Sequence, residues 1–186
     1  MGHGGNVIAE LTTDHREVDE LFEKIEGQPV GDPQRRRLVD ELTIELVRHS
    51  VAEEMHLYPA VREHVDGGDK IADKELSDHA EVEQHLKDLE GLDADDPQFD
   101  DLVAKLKFEV SAHVRDEESR LFPLLAAACT SEALNELGDK IRTAKKTAPT
   151  RPHPSAPGTP PGNKLLGPGA GLVDRARDLL TGRGKN

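Results

Sequence analysis

One 64-residue unit, present twice, constrains this chain more than any other feature. Asp14-His15-Arg16-Glu17-Val18 returns as Asp78-His79-Ala80-Glu81-Val82, and Asp32-Pro33 returns as Asp96-Pro97. His49 with Glu53-Glu54 returns as His113 with Glu117-Glu118, and Leu57-Tyr58-Pro59 as Leu121-Phe122-Pro123. Gly27 and Gly91 keep the same offset of 64 residues. A constant offset through separated motifs marks a duplication, so the chain is expected to fold as two copies of one supersecondary unit.

Within each unit the apolar spacing is helical. Ile8, Leu11, His15, Val18, Phe22 and Ile25 step by three and four, and Gly27 follows as a stop signal. Asp32 reads as the N-cap of a second helix with Pro33 in its first turn. That helix carries Val39, Leu42, Leu46, His49 and Glu53 on one stripe, repeated by Val103, Leu106, Val110, His113 and Glu117. The pattern predicts helices near 7–26, 33–58, 70–90 and 97–122, with Pro59 and Pro123 kinking or ending two of them. Short connections make neighbours antiparallel, giving an all-α, up-and-down four-helix bundle of two duplicated hairpins. A fifth helix near 131–146 presents Leu134, Leu137, Ile141 and Ala144 for packing on the bundle. Aromatic residues make up only 3% of the chain and Trp is absent, which suits helix packing better than a sandwich of strands.

The division expected is a bundle over 1–146, a disordered Pro/Gly-rich linker over 147–171 and a basic tail over 172–186. Seven of the twelve prolines fall in the linker, and Leu172, Ala176 and Leu179 of the tail make one stripe of a short amphipathic helix. The net charge of −13 divides into −21 before Lys140 and +8 from there on. A body this acidic repels phosphates and attracts cations, so nucleic acid is not expected as partner of the folded part, though the tail could engage one of its own. The single Cys129 excludes an internal disulfide and a thiolate cage. With no apolar stretch of membrane-spanning length and no leader pattern, the expectation is a cytoplasmic monomer.

Six residues carry the chemistry. His15, His49, Glu53, His79, His113 and Glu117 fall in the inward apolar stripes, where a polar side chain without a partner costs about 1–3 kcal/mol. A His and a Glu four residues apart lie about 40° apart around a helix, so each pair reaches one centre. Four imidazoles and two carboxylates in pseudo-twofold array suit two bridged ions. Imidazole with carboxylate and no thiolate fits Fe, and less strongly Mn or Zn. Two ions seeking about six donors each leave about two positions open for O2, NO or peroxide after four His, two bridging Glu and an oxo or hydroxo bridge.

With His on the first and third helices and His-x-x-x-Glu on the second and fourth, residues 8–125 resemble the hemerythrin-like family of HHE cation-binding domains. The resemblance implies a left-handed bundle with a non-haem di-iron site, in a family of O2 carriers, iron or redox sensors, and proteins handling peroxide or NO. Hemerythrin proper has a further His four residues after that of its third helix; here Glu83 stands there, matched by Asp19 on the first. That departure favours peroxide or NO chemistry, or sensing, over O2 storage. Asp19 and Glu83 read either as solvated faces or as carboxylates that bind or orient. His56, whose twin is Arg120, and Tyr58, whose twin is Phe122, are further candidates for the remaining coordination positions. Glu54 and Glu118 read as surface residues. The residues leave open whether the chain turns over, as a catalase- or peroxidase-type oxidoreductase, or only senses or stores.

Overall fold

The computed structural model describes residues 4–156, 158, 159, 162–181 and 183, and for 163–168, 180 and 181 the backbone alone. His3, residue 182 and the last three residues of the expected tail lie outside them. All regular structure among the described residues is helical. Helix α1 is Val7–Glu26, α3 is Gly68–Leu89, α5 is Ser131–Thr147 and α6 is Gly162–Thr181. Helix α2 covers 33–64 as Pro33–Ala52, a π-turn Glu53–Leu57 and Tyr58–His64. Helix α4 covers 99–128 as Phe99–Asp116, a second π-turn Glu117–Leu121 and Phe122–Ala128.

Local chemistry sets most of these ends. Asn6, Asp32 and Thr130 each accept a backbone N–H of the first turn through their side chains, at α1, α2 and α5. Asp96 accepts the N–H of Gln98 at 2.9 Å, so α4 starts at Phe99, two residues later than expected.

Pro59 and Pro123, expected to kink or end their helices, do not end them. A proline offers no N–H to the carbonyl four residues back. Just ahead of each, the N–H of Tyr58 or Phe122 instead bonds the carbonyl of Glu53 or Glu117, five residues back, and the helix runs on to 64 or 128.

The bundle interior is two apolar clusters separated by a polar layer. Val18, Phe22, Leu42, Leu86 and Leu106 belong to one cluster; Leu11, Leu57, Tyr58, Leu121 and Leu125 belong to the other. His15 lies between Leu11 and Val18 on α1, and His49 lies between Leu46 and Ala52 on α2, so the histidine layer is shut between two dry halves. Helix α5 covers α1 and α2 through Leu134, Leu137, Ile141 and Ala144, the face that its periodicity predicts. Gly138 permits that approach, because a Cβ there would stand 2.8 Å from the carbonyl oxygen of Gly5.

Part of the segment expected to be a disordered linker is structured among the described residues. Ala148 to Pro152 are buried, and α6 begins at Gly162 rather than Leu172. Its polar side packs inward: Asp174 accepts the N–H groups of Thr150 and Arg151 at 3.2 Å, and Asp178 accepts the Thr150 hydroxyl at 2.6 Å. The stripe of Leu172, Ala176 and Leu179 faces outward. Proline and glycine content signalled disorder, but buried carboxylates supply the partners that this backbone needs.

Candidate metal centre

The four helices bring all six predicted ligands into the polar layer. Glu53 and Glu117 are fully buried, and the four His are 2–6% exposed. Ligand atoms of His15, His49, Glu53 and Glu117 lie within 4.8 Å of one another, as do those of Glu53, His79 and His113. Glu53 belongs to both groups: its carboxylate is 3.1 Å from Nε2 of His49 and 3.4 Å from Nε2 of His79. Glu117 likewise stands 3.3 Å from Nε2 of His15 and 3.7 Å from Nε2 of His113.

Each ring is turned to face this centre by a carboxylate behind it. Nδ1–H of His15 donates to Glu118 at 2.9 Å, that of His49 to Asp14 at 3.2 Å and that of His79 to Glu54 at 3.1 Å. Nδ1 of His113 lies 3.0 Å from Glu75 and 3.6 Å from Asp78. A proton held on Nδ1 leaves the Nε2 lone pair free to point inward, the usual arrangement of a metal-binding histidine. Asp14 and Asp78, and Glu54 and Glu118, are twins across the repeat, so the duplication extends to the supporting carboxylates. Expecting Glu54 and Glu118 at the surface was therefore a misreading. Glu75 lies four residues before His79 on the inward stripe of α3, a signal the sequence reading passed over.

The arrangement fits a cation on its own evidence. Nε2 of His15, both oxygens of Glu53 and Oε2 of Glu117 are buried without a hydrogen-bond partner. Nε2 of His79 and Nε2 of His113 approach to 3.2 Å. At that separation the two nitrogens share either a proton or a metal ion.

Electrostatics agree. Burial and repulsion from Glu117 push the Glu53 carboxyl well above its ordinary range. Burial also works on Glu117, but His113 and His15 outweigh it and hold that carboxyl low. Burial lowers His49 to about 4, against the pull of Asp14, so this ring is neutral and ready to coordinate. On His113 burial is overcome by Glu117, Asp78 and Glu75, which raise the ring to about 9. Below that pH the ring carries a proton that a metal must displace, so affinity rises with pH through neutrality and levels off above about 9. Metal titration into the metal-free chain at pH 7 in weak buffer is expected to release protons, and about fourfold less release at pH 9.5 is expected if His113 supplies them.

The lower-ranked candidates separate. Tyr58 reaches the centre: its hydroxyl lies 2.9 Å from Nε2 of His79 and donates to Oε1 of Glu117 at 3.2 Å. Its twin Phe122 stacks on the His15 ring, with centroids 5.8 Å apart. His56 is half-buried and belongs to neither group, and its twin Arg120 pairs with Asp116 and Glu75. Asp19 is half-exposed beside Arg16. Glu83 lies off the centre and accepts the N–H of His153 at 2.8 Å.

Residues 6–125 match the family model described as the hemerythrin HHE cation binding domain. The chain belongs to the hemerythrin HHE family. An HHE-domain protein from Mycobacterium kansasii, known from its crystal structure, superposes with a TM-score of 0.67 at 28% identity, over 76% of this chain and 85% of that one. An uncharacterized hemerythrin-like protein of Schizosaccharomyces pombe is 28% identical over 168 residues, which is 90% of this chain and 82% of that protein. A DNA nickase of Nostoc is 32% identical over 142 residues, but the match covers only 39% of its length. For this HHE chain the comparisons and the clustered His and Glu agree on a metal-binding helical domain. Among the described residues no helix is long and apolar enough to cross a membrane.

Proposed function

We propose that this HHE domain is a non-haem di-iron protein that binds and reacts with a small oxidant, H2O2 or NO ahead of O2. In this reading His15 and His49 would hold one iron and His79 and His113 the other, with Glu53 and Glu117 as the carboxylates available to both. Bound iron would supply electron transfer and an electrophilic position for the oxidant. Supporting the reading is one observation above all: a cavity of about 20 Å³ touches all four ligand histidines, beside the two groups that share Glu53. That volume admits one molecule of about the size of water.

The chain's own residues do the rest. The apolar clusters above and below the layer exclude bulk water and strengthen every charge interaction inside it. The carboxylates behind the rings hold the Nδ1 protons of His15, His49 and His79 in place, and Glu75 and Asp78 stand beside Nδ1 of His113. Burial, with the negative field of Glu117 and Glu53, pushes the Tyr58 hydroxyl well above its ordinary pKa, so its proton stays on oxygen and can be offered at the His79 half.

The test is iron per chain with visible spectra before and after H2O2 or NO. About two irons, with a spectrum altered by either oxidant and peroxide consumed, are expected. Zinc alone with a flat spectrum, or iron indifferent to both oxidants, would withdraw the redox reading and leave a sensing or storage module. Tyr58→Phe should keep the iron and slow peroxide consumption by about 10²-fold; an unchanged rate would remove the tyrosine from the reaction.

A further inference from the structure

The two halves of the centre share their ligands and the carboxylate twins Asp14/Asp78 and Glu54/Glu118 but differ on their outer sides. Behind His15, Glu118 is covered by Arg16, whose guanidinium bonds its carboxylate. Behind His79, the twin carboxylate is Glu54 and the twin of Arg16 is Ala80. Where an arginine seals one half, the other opens into a cavity of about 260 Å³. Leu76, Val82 and Leu86 form its inner wall, and Pro149, Pro154 and Ala156 of the C-terminal segment form its outer wall. The N–H of His153 donates to Glu83 at 2.8 Å and ties that outer wall to α3.

We propose that this cavity binds a ring-sized organic molecule with an apolar body and an amine or hydroxyl end, seated against the His79 half of the metal centre. Size and apolar lining set the body: the space is near the lower bound of small-molecule sites. Charge sets the end. Glu54 and Glu83 both line the cavity. The nearby cationic groups are already paired, Arg151 with Glu90 and Asp178, and His153 with Asp174. The wall therefore welcomes a donor or a cation and repels a carboxylate. Tyr58, whose twin is Phe122, is a second departure from twofold symmetry that falls on the His79 side. This site goes beyond the redox reading and stands on the cavity and its charge, whichever oxidant reacts at the metal.

Three probes sharing one ring test it on the full metal-loaded chain: benzylamine, benzyl alcohol and benzoate, titrated by ligand-observed NMR. Benzylamine and benzyl alcohol are expected to bind at one site per chain, with benzoate at least about tenfold weaker. Ala80→Arg should close the cavity by pairing Glu54 as Arg16 pairs Glu118, weakening benzylamine at least about tenfold while helicity and metal content are kept. Position 80 is exposed on α3, where arginine is a good helix former. Glu83→Gln should weaken benzylamine and spare benzyl alcohol. Equal binding of benzoate, unchanged affinity in Ala80→Arg, or no binding of either donor at millimolar concentration would overturn the proposal. Peroxide consumption on the same samples keeps the two ideas apart: turnover without probe binding sinks the cavity site, and probe binding without turnover sinks the redox reading.

Discussion

Glu53→Gln is expected to empty the metal centre, taking bound metal from about two ions per chain to below about one. Glu53 is the carboxylate that both groups share, between Nε2 of His49 and Nε2 of His79. A carboxamide of the same shape keeps the packing but offers no negative charge to bridge two cations. The same change should leave the melting temperature of the metal-free chain unchanged or raise it. A group whose carboxyl burial pushes up costs stability when ionised, and glutamine removes that cost. Asp14→Asn, which removes the carboxylate behind the His49 ring and the charge partner of Lys145, should weaken metal binding by about 10–100-fold instead. Metal analysis with circular-dichroism melts of both variants checks this. Full metal content in Glu53→Gln would show that the carboxylate is not shared.

Chelating the metal should lower the melting temperature by about 10 °C or more. A ligand present at about a thousand times its dissociation constant adds about 4 kcal/mol to the folded state, and a domain of this size shifts by about 2–4 °C per kcal/mol. The metal-free layer is costly by its own chemistry: two fully buried glutamates with unpartnered oxygens lie beside four buried imidazoles. The chain should nonetheless stay helical at 25 °C, because the apolar clusters on either side of the layer do not depend on metal. Melts of the loaded and chelated protein, recorded at equal concentration, decide it. Equal melting temperatures within about 2 °C would mean that the layer is satisfied without a cation.

The six histidines and glutamates were legible because their positions obey a local rule. A residue at a three- or four-step spacing in an apolar stripe must face the interior, and the 64-residue repeat applied that rule twice. Tyr58 escaped the same rule. In an α-helix it would lie about 140° around from Glu53. The π-turn closes with one extra residue and swings Tyr58 back toward the centre, while the same widening takes His56 off the stripe that a regular helix would give it. The missing N–H of Pro59 was the available signal, read as a kink or an end rather than as a change of helical period. Glu54 and Glu118 were misread for another reason: each backs a histidine on a different helix, at a sequence separation of 25 or 103 residues.

The sequence by itself therefore determined the duplication, the four bundle helices and the inward His and Glu set, since periodicity and spacing are properties of single helices. Only the tertiary structure decided which carboxylate stands behind which ring, that Tyr58 serves one half and Phe122 the other, and that the proline-rich C-terminal segment folds onto the bundle. Each of those depends on groups from separate elements meeting in space. There a buried polar atom takes whichever partner the packing brings within hydrogen-bond reach.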